Sequence, residues 1–220
     1  MFQIVFLRTS FICSIVLCMS CTDTKHENIA IKLPYYNTPD FTPHFIASQT
    51  DAKQKITHTI SPFLMTDQYG KQITERDIEG KIHIANFIFT RCGSICPVMT
   101  RHMKLVADAF KNNTNVVLLS YSVTPWIDSV ARLKQYTENN AITAPNWHFL
   151  TGNKSAIYTL ARQSYFAEED LGFSKDSTDF LHTEHILLID RNKKIRGIYN
   201  GTLLLEAEQL IRDIKTLLEE

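Results

Sequence analysis

This sequence predicts a three-layer α/β domain with a reactive pair of thiols at the start of its first crossover helix. Three observations carry that expectation. From about Lys81 onward, short apolar runs alternate with helical patterns. The chain then closes on two strand-like runs around a turn, followed by a last helical pattern. Cys92 and Cys96 sit between the first apolar run and its helix, with Pro97 directly after. Strands that alternate with helices pack as a mainly parallel sheet covered on both faces.

Taken in order, the chain begins with a targeting segment. Residues 1–20 are apolar apart from Gln3, Arg8 and small hydroxylic residues, and the text turns abruptly polar after Cys21. A short apolar stretch with a small residue before the break reads as a secretory signal. Ser20-Cys21 also resembles a bacterial lipoprotein cleavage site, although Cys18 stands where a leucine is usual. An uncleaved anchor is the competing reading. The expected boundaries are a signal or lipoprotein segment over 1–21, a linker over 22–55 and one domain over 56–220. Pro34, Pro39 and Pro43 break any long period in the linker, which is expected to lie extended across the domain surface.

Phe63-Leu64-Met65 and Lys71-Gln72-Ile73, around Asp67-Gln68-Tyr69-Gly70, predict a β-hairpin that precedes the alternating part. Thr74 to Asp77 reads as a capped helical turn stopped by Gly80. Residues 82–90 are rich in Ile and Phe and short enough for a buried strand. Met99, Met103, Val106 and Phe110 then recur at helical spacing, so they read as core and not as thioether ligands. Proline suits the first helical position and disfavours helix in the residue before it, which makes Cys96 the expected N-cap. Further on, strands are expected at 116–123, 147–150, 185–190 and 195–199. Helices are expected at 127–138, at 154–165 with Asn153 as cap, and at 205–218. Residues 168–180 read as a polar, acidic loop. The order of strands, helices and cysteines is the thioredoxin plan, enlarged by an N-terminal hairpin.

Composition narrows function only a little. Acidic and basic residues balance at 23 each, which argues against nucleic acid as a partner. Of 5 cysteines, Cys13 and Cys18 leave with the signal and Cys21 takes the lipid, so Cys92 and Cys96 remain as a pair. Thiols at a strand's end and a helix's positive start are placed to be thiolates, because the helix dipole stabilises the anion. A structural disulfide or half of a zinc site is the alternative, and zinc would want more ligands of similar spacing.

The segment FTRCGSICPVMT, with HTEHILLID far downstream, resembles the Sco/SenC family of copper-binding proteins of respiratory membranes. Asp67-Gln68-Tyr69-Gly70, Gly80-Lys81, and Ser122-Val123-Thr124-Pro125 with Asp128 extend the likeness from about Phe63 to Asn200. The resemblance implies a thioredoxin-like fold and copper, Cu(I) or Cu(II), bound by Cys92, Cys96 and His182. Leu181 departs from the aspartate that many relatives carry before the histidine. Two thiolates and an imidazole are donors suited to Cu(I).

His185 is the rival of His182, but it lies in an apolar run and reads as a core histidine. His83 and His102 read as structural or surface groups, and Arg91 as turned outward. The implied function is a copper chaperone rather than an enzyme, serving the copper-accepting subunit of a terminal oxidase. It would work on the periplasmic face of a bacterial membrane, lipid-anchored through Cys21. The alternative is a thiol-disulfide oxidoreductase that cycles a Cys92–Cys96 disulfide. Such enzymes usually have two residues between their cysteines, whereas Gly93, Ser94 and Ile95 intervene here.

Overall fold

The computed structural model of the chain describes residues 32–167 and 183–220. In order, these form β1 (Tyr35–Tyr36), β2 (Pro43–His44), α1 (Gln49–Lys55), β3 (Leu64–Thr66), β4 (Gln72–Thr74) and β5 (Ile82–Ile88). There follow α2 (Ile95–Phe110), β6 (Val116–Ser122), α3 (Val130–Asn139), β7 (Trp147–Leu150), α4 (Lys154–Thr159), β8 (His185–Ile189), β9 (Ile195–Asn200) and α5 (Leu204–Glu219). Seven strands make one sheet in the order β2-β1-β9-β8-β5-β6-β7, and β3 pairs with β4 in a separate hairpin. β5, β6 and β7 are parallel, while β8 runs antiparallel to β5 and β9 to β8. No helix among the described residues is long and apolar enough to cross a membrane.

Both central strands, β5 and β6, are buried at every position, which is why they read as apolar runs without alternation. The period of two sorts their side chains between two cores. Ile82, Ile84 and Ile88 pack with Met99, Met103, Val106 and Phe110 of α2 and Leu210, Ile214 and Leu217 of α5. Ala85 and Phe87 face the other way, toward Ile73 of the hairpin and Ile157 and Tyr158 of α4. Met99, Met103 and Val106 are 0% exposed. Their burial contributes roughly 1.5–3 kcal/mol each, enough to hold the helix that carries Cys96 against the sheet.

The hairpin closes on the edge of the sheet. Asp67 Oδ1 accepts the N–H groups of Tyr69 and Lys71, and Gly70 supplies the positive φ of 82° that the turn needs. Gln68 then pairs with β7 through the Trp147 carbonyl (3.0 Å) and the Phe149 N–H (2.8 Å), which covers an otherwise open edge.

Several expectations need correction. The stretch read as linker supplies β1, β2 and α1 between residues 32 and 55. β1 pairs with β9, and Arg196 of β9 fastens the residues just before β1. The Arg196 guanidinium donates to the carbonyls of Leu33 and Pro34 and to Asp190 and Glu220, with its Cζ 4.0 Å from the centroid of the Tyr35 ring. Pro34 and Leu33 lie 162 and 163 residues before Arg196, so pattern reading could not find these contacts.

Thr74 to Asp77 is a non-helical turn, because the Asp77 carboxylate takes the Thr74 N–H (2.9 Å) and hydroxyl (3.2 Å) itself. α3 begins only at Val130, capped by Ser129. The helix expected over 154–165 starts as foreseen with Asn153 accepting from the Ala156 N–H. It leaves α geometry at Leu160 and continues to Ser164 as a π-helical turn. The expected loop over 168–180 and the targeting segment over 1–21 lie outside the described residues.

Candidate metal centre

β5 ends at Ile88, and the chain turns at once, with the Cys92 N–H donating to the Phe89 carbonyl (3.0 Å). Helix α2 starts two residues beyond Gly93, and its N-cap is Ser94, not Cys96. Pro97 falls inside the first turn, where the N–H it lacks would have had no intrahelical partner anyway. Cys96 is therefore helical, and the restriction that proline places on its predecessor is overridden.

Ser94 makes no side-chain capping bond. The first N–H groups of α2 point instead at the sulfur of Cys92, which is half-buried beside them. Burial alone would raise the Cys92 pKa, but the N–H groups of Cys96, Ser94 and Ile95 and the Cys96 thiol outweigh it. The net result is a pKa below the ordinary cysteine value. The Cys92 sulfur thus stands where a capping side chain would otherwise accept these N–H groups.

Cys96 is the opposite case and corrects the expectation that both thiols are thiolates. Only 7% exposed, it is pushed up to about 12 by burial, which the Phe89 N–H offsets only in part and the neighbouring Cys92 reinforces. Both cysteines are free thiols.

The third expected donor, His182, lies outside the described residues, as does Cys21. Among the described residues no three His, Cys, Asp or Glu side chains gather in a way that could hold a metal ion. His185 opens β8 opposite Asn200 and is half-buried, not a core group, with its ring edge-on to Phe41 at 5.7 Å. His102 is structural, as expected, bonded through Nδ1 to the Gly201 carbonyl (2.8 Å). His83 is fully buried in β5 beside the Tyr165 hydroxyl (3.1 Å), and Arg91 is exposed.

Sequence reading missed the polar cluster around Thr90, just ahead of Cys92 in the chain. The Asp128 carboxylate, 0% exposed, accepts the hydroxyls of Ser122 (2.6 Å), Thr124 (3.0 Å) and Thr90 (2.5 Å) and, more distantly, the Thr90 N–H (3.4 Å). Arg132 Nε donates to the Thr90 hydroxyl (2.9 Å) and lies 3.7 Å from Asp128. The signal for it lies in Ser122, Thr124 and Asp128, which carry the family likeness but form no pattern that assigns them a role. Nearby, the Tyr136 hydroxyl bonds Thr100 of α2 (2.7 Å).

Two unequal sulfurs can bind a soft metal ion once Cys96 gives up its proton, and they can also exchange with a disulfide. The donor chemistry fits copper better than zinc, which favours four ligands.

The SCO1/SenC family model matches residues 51–219, a longer stretch than the motifs span. The chain is 31% identical over 166 residues to the SCO1 protein homolog of Bacillus subtilis (strain 168), covering 74% of this chain and 85% of that relative. It is similar to the solved structure of BsSco, a member of the Sco family of cytochrome c oxidase assembly proteins, in which a disulfide switch was identified. That likeness has a TM-score of 0.60 and 29% identity over 73% of this chain and 93% of the other. The copper-bound structure of ScoI from Bradyrhizobium japonicum gives 0.57 and 27% identity over 72% of this chain and 99% of the other. The thioredoxin-like fold expected from the order of elements is the fold of these neighbours.

Proposed function

Because the chain belongs to the SCO1/SenC family, we propose that it carries copper on Cys92, Cys96 and His182 and delivers it to the binuclear copper centre of a terminal cytochrome oxidase. The observation that carries this reading is the thiol pair at the uncapped start of α2. Its copper-bound counterpart from Bradyrhizobium japonicum and the oxidase-assembly relatives support it. Copper is cargo here. Cys92 meets it as the readier thiolate, Cys96 loses a proton to bind, and His182 completes a three-donor set suited to Cu(I). The same protein would be tethered to the periplasmic face of the membrane through a lipid on Cys21, which keeps it beside a membrane-bound acceptor.

A second reading has its own observation. The unequal thiols are arranged as a nucleophile and a buried partner, as disulfide exchange requires. An oxidase subunit whose copper ligands are cysteines cannot accept metal while they form a disulfide, so reduction and delivery are compatible tasks. Metal transfer needs the histidine, whereas exchange needs only the cysteines. A His182→Ala strain grown in copper-poor medium is expected to lose oxidase copper while the protein accumulates normally. Full oxidase copper in that strain, alongside its loss in a Cys92→Ala strain, would assign the protein to thiol reduction instead.

A further inference from the structure

We infer that Asp128 is a positioning residue for the thiol pair, acting through Thr90 to hold the strand exit that leads into Cys92 in one geometry. The inference rests on the reading of those cysteines as the working groups, and it deepens that reading.

The argument starts from what each group can donate. Arg132 Nε has only a proton to give, so its bond to the Thr90 hydroxyl occupies that oxygen as an acceptor. The hydroxyl's own proton is then directed to Asp128 Oδ1. With the Thr90 N–H also facing the carboxylate, both the backbone and the side chain of Thr90 are committed. Ser122 and Thr124 satisfy the second carboxylate oxygen, and the Ser122 hydroxyl also takes the Thr124 N–H (3.1 Å). Asp128 thereby fastens the end of β5 to the loop after β6, a junction that the Val123 N–H to Ile88 carbonyl bond (2.9 Å) continues.

The consequence falls on the cysteines because of what adjoins Thr90. Phe89 immediately precedes it, and Phe89 touches both thiol residues. Its carbonyl takes the Cys92 N–H, and its N–H faces the Cys96 sulfur. Releasing Thr90 would loosen Phe89, which ties both cysteines to the end of the strand. The hydrophobic core does not need this carboxylate, since a buried charge with several polar neighbours is a costly way to fill a site. Groups that orient metal ligands from behind typically change affinity about ten- to a hundredfold when removed.

The test compares wild type with Asp128→Asn, Thr90→Val and Thr90→Ser in the reduced and oxidised full chain. The first readout needs no metal: equilibration with glutathione buffers, in which two glutathione thiols reduce one Cys92–Cys96 disulfide and form one glutathione disulfide. Loosening the strand exit lowers the chance that the two sulfurs meet. Asp128→Asn and Thr90→Val should therefore shift this equilibrium about tenfold toward the dithiol, and Thr90→Ser, which keeps the hydroxyl, should restore most of it. The second readout is Cu(I) affinity against a competing chelator, expected to fall about tenfold or more in the same two variants. If Asp128→Asn fails to fold, the Thr90 pair decides alone. Lowered thermal stability with an unchanged glutathione equilibrium in the folded variants would overturn the inference. A wild type that takes up no Cu(I) would instead defeat the copper reading, and the glutathione equilibrium would still decide the role of Asp128.

Discussion

The opposite proton affinities of Cys92 and Cys96 follow from where each sulfur sits on one helix. Cys92 lies just ahead of α2, where free N–H groups converge and no side chain competes for them. Cys96 is the second residue of α2, its N–H given to the Cys92 sulfur and its own sulfur against the core. A single alkylating agent should tell them apart. With iodoacetamide at neutral pH, peptide mapping of reduced protein is expected to find Cys92 modified at least about tenfold faster than Cys96, because the thiolate is the reacting form. Equal rates would mean that the sulfurs are not held as described. The cysteine pair and its place between strand and helix were legible in the sequence. Its asymmetry was not, since it depends on burial and on a two-residue shift of the helix start that Pro97 did not prevent.

At the level of elements, β5 joins the site to a buried polar chain that tunes the fold's response to acid. His83 in its middle faces the Tyr165 hydroxyl, which in turn meets Tyr121 of β6 (3.1 Å). Burial, with the Lys193 charge adding to it, lowers the His83 pKa from 6.5 to about 3. Between those values the unfolded chain binds a proton that the folded chain refuses. Stability is therefore full above the unfolded value and is lost as pH falls toward the folded one. The contribution of this one group between pH 7 and about pH 4.5 is about 3 kcal/mol. Urea unfolding at both pH values should show His83→Gln losing less stability on acidification than wild type by about that amount. A pH dependence identical in the two proteins would contradict the assignment.

Element type was readable where one pattern dominated, as in β5, α2 and the exact span of β7. It failed at Thr74 to Asp77, where a side chain took over the capping groups, and at Leu160, where the helix widened to a π turn.

For the molecule as a whole, the order of strands and helices was enough to foresee the sheet and its two cores, because βαβ alternation leaves few ways to cover both faces. What sequence could not foresee was closure by distant polar contacts. Arg196 joins β1 to the end of α5, Gln68 joins the hairpin to β7, and Asp128 joins two loops around Thr90. Each pairs residues with no periodic relation, so no local signal announces it. Of these closures the Asp128 contacts adjoin the thiols, through Thr90, whereas Arg196 acts at the opposite end of the sheet, where Ile189 pairs with His83. The central proposal is that the thiol pair so held carries a single copper ion. The most direct measurement of that claim is Cu(I) titration of the reduced chain against a competing chelator, in wild type and in Cys92→Ala, Cys96→Ala, His182→Ala and His185→Ala. One copper per chain is expected in wild type, with affinity falling about a hundredfold or more in either cysteine variant and less steeply in His182→Ala, while His185→Ala binds as wild type does. Affinity in Cys92→Ala equal to that of wild type would contradict the account.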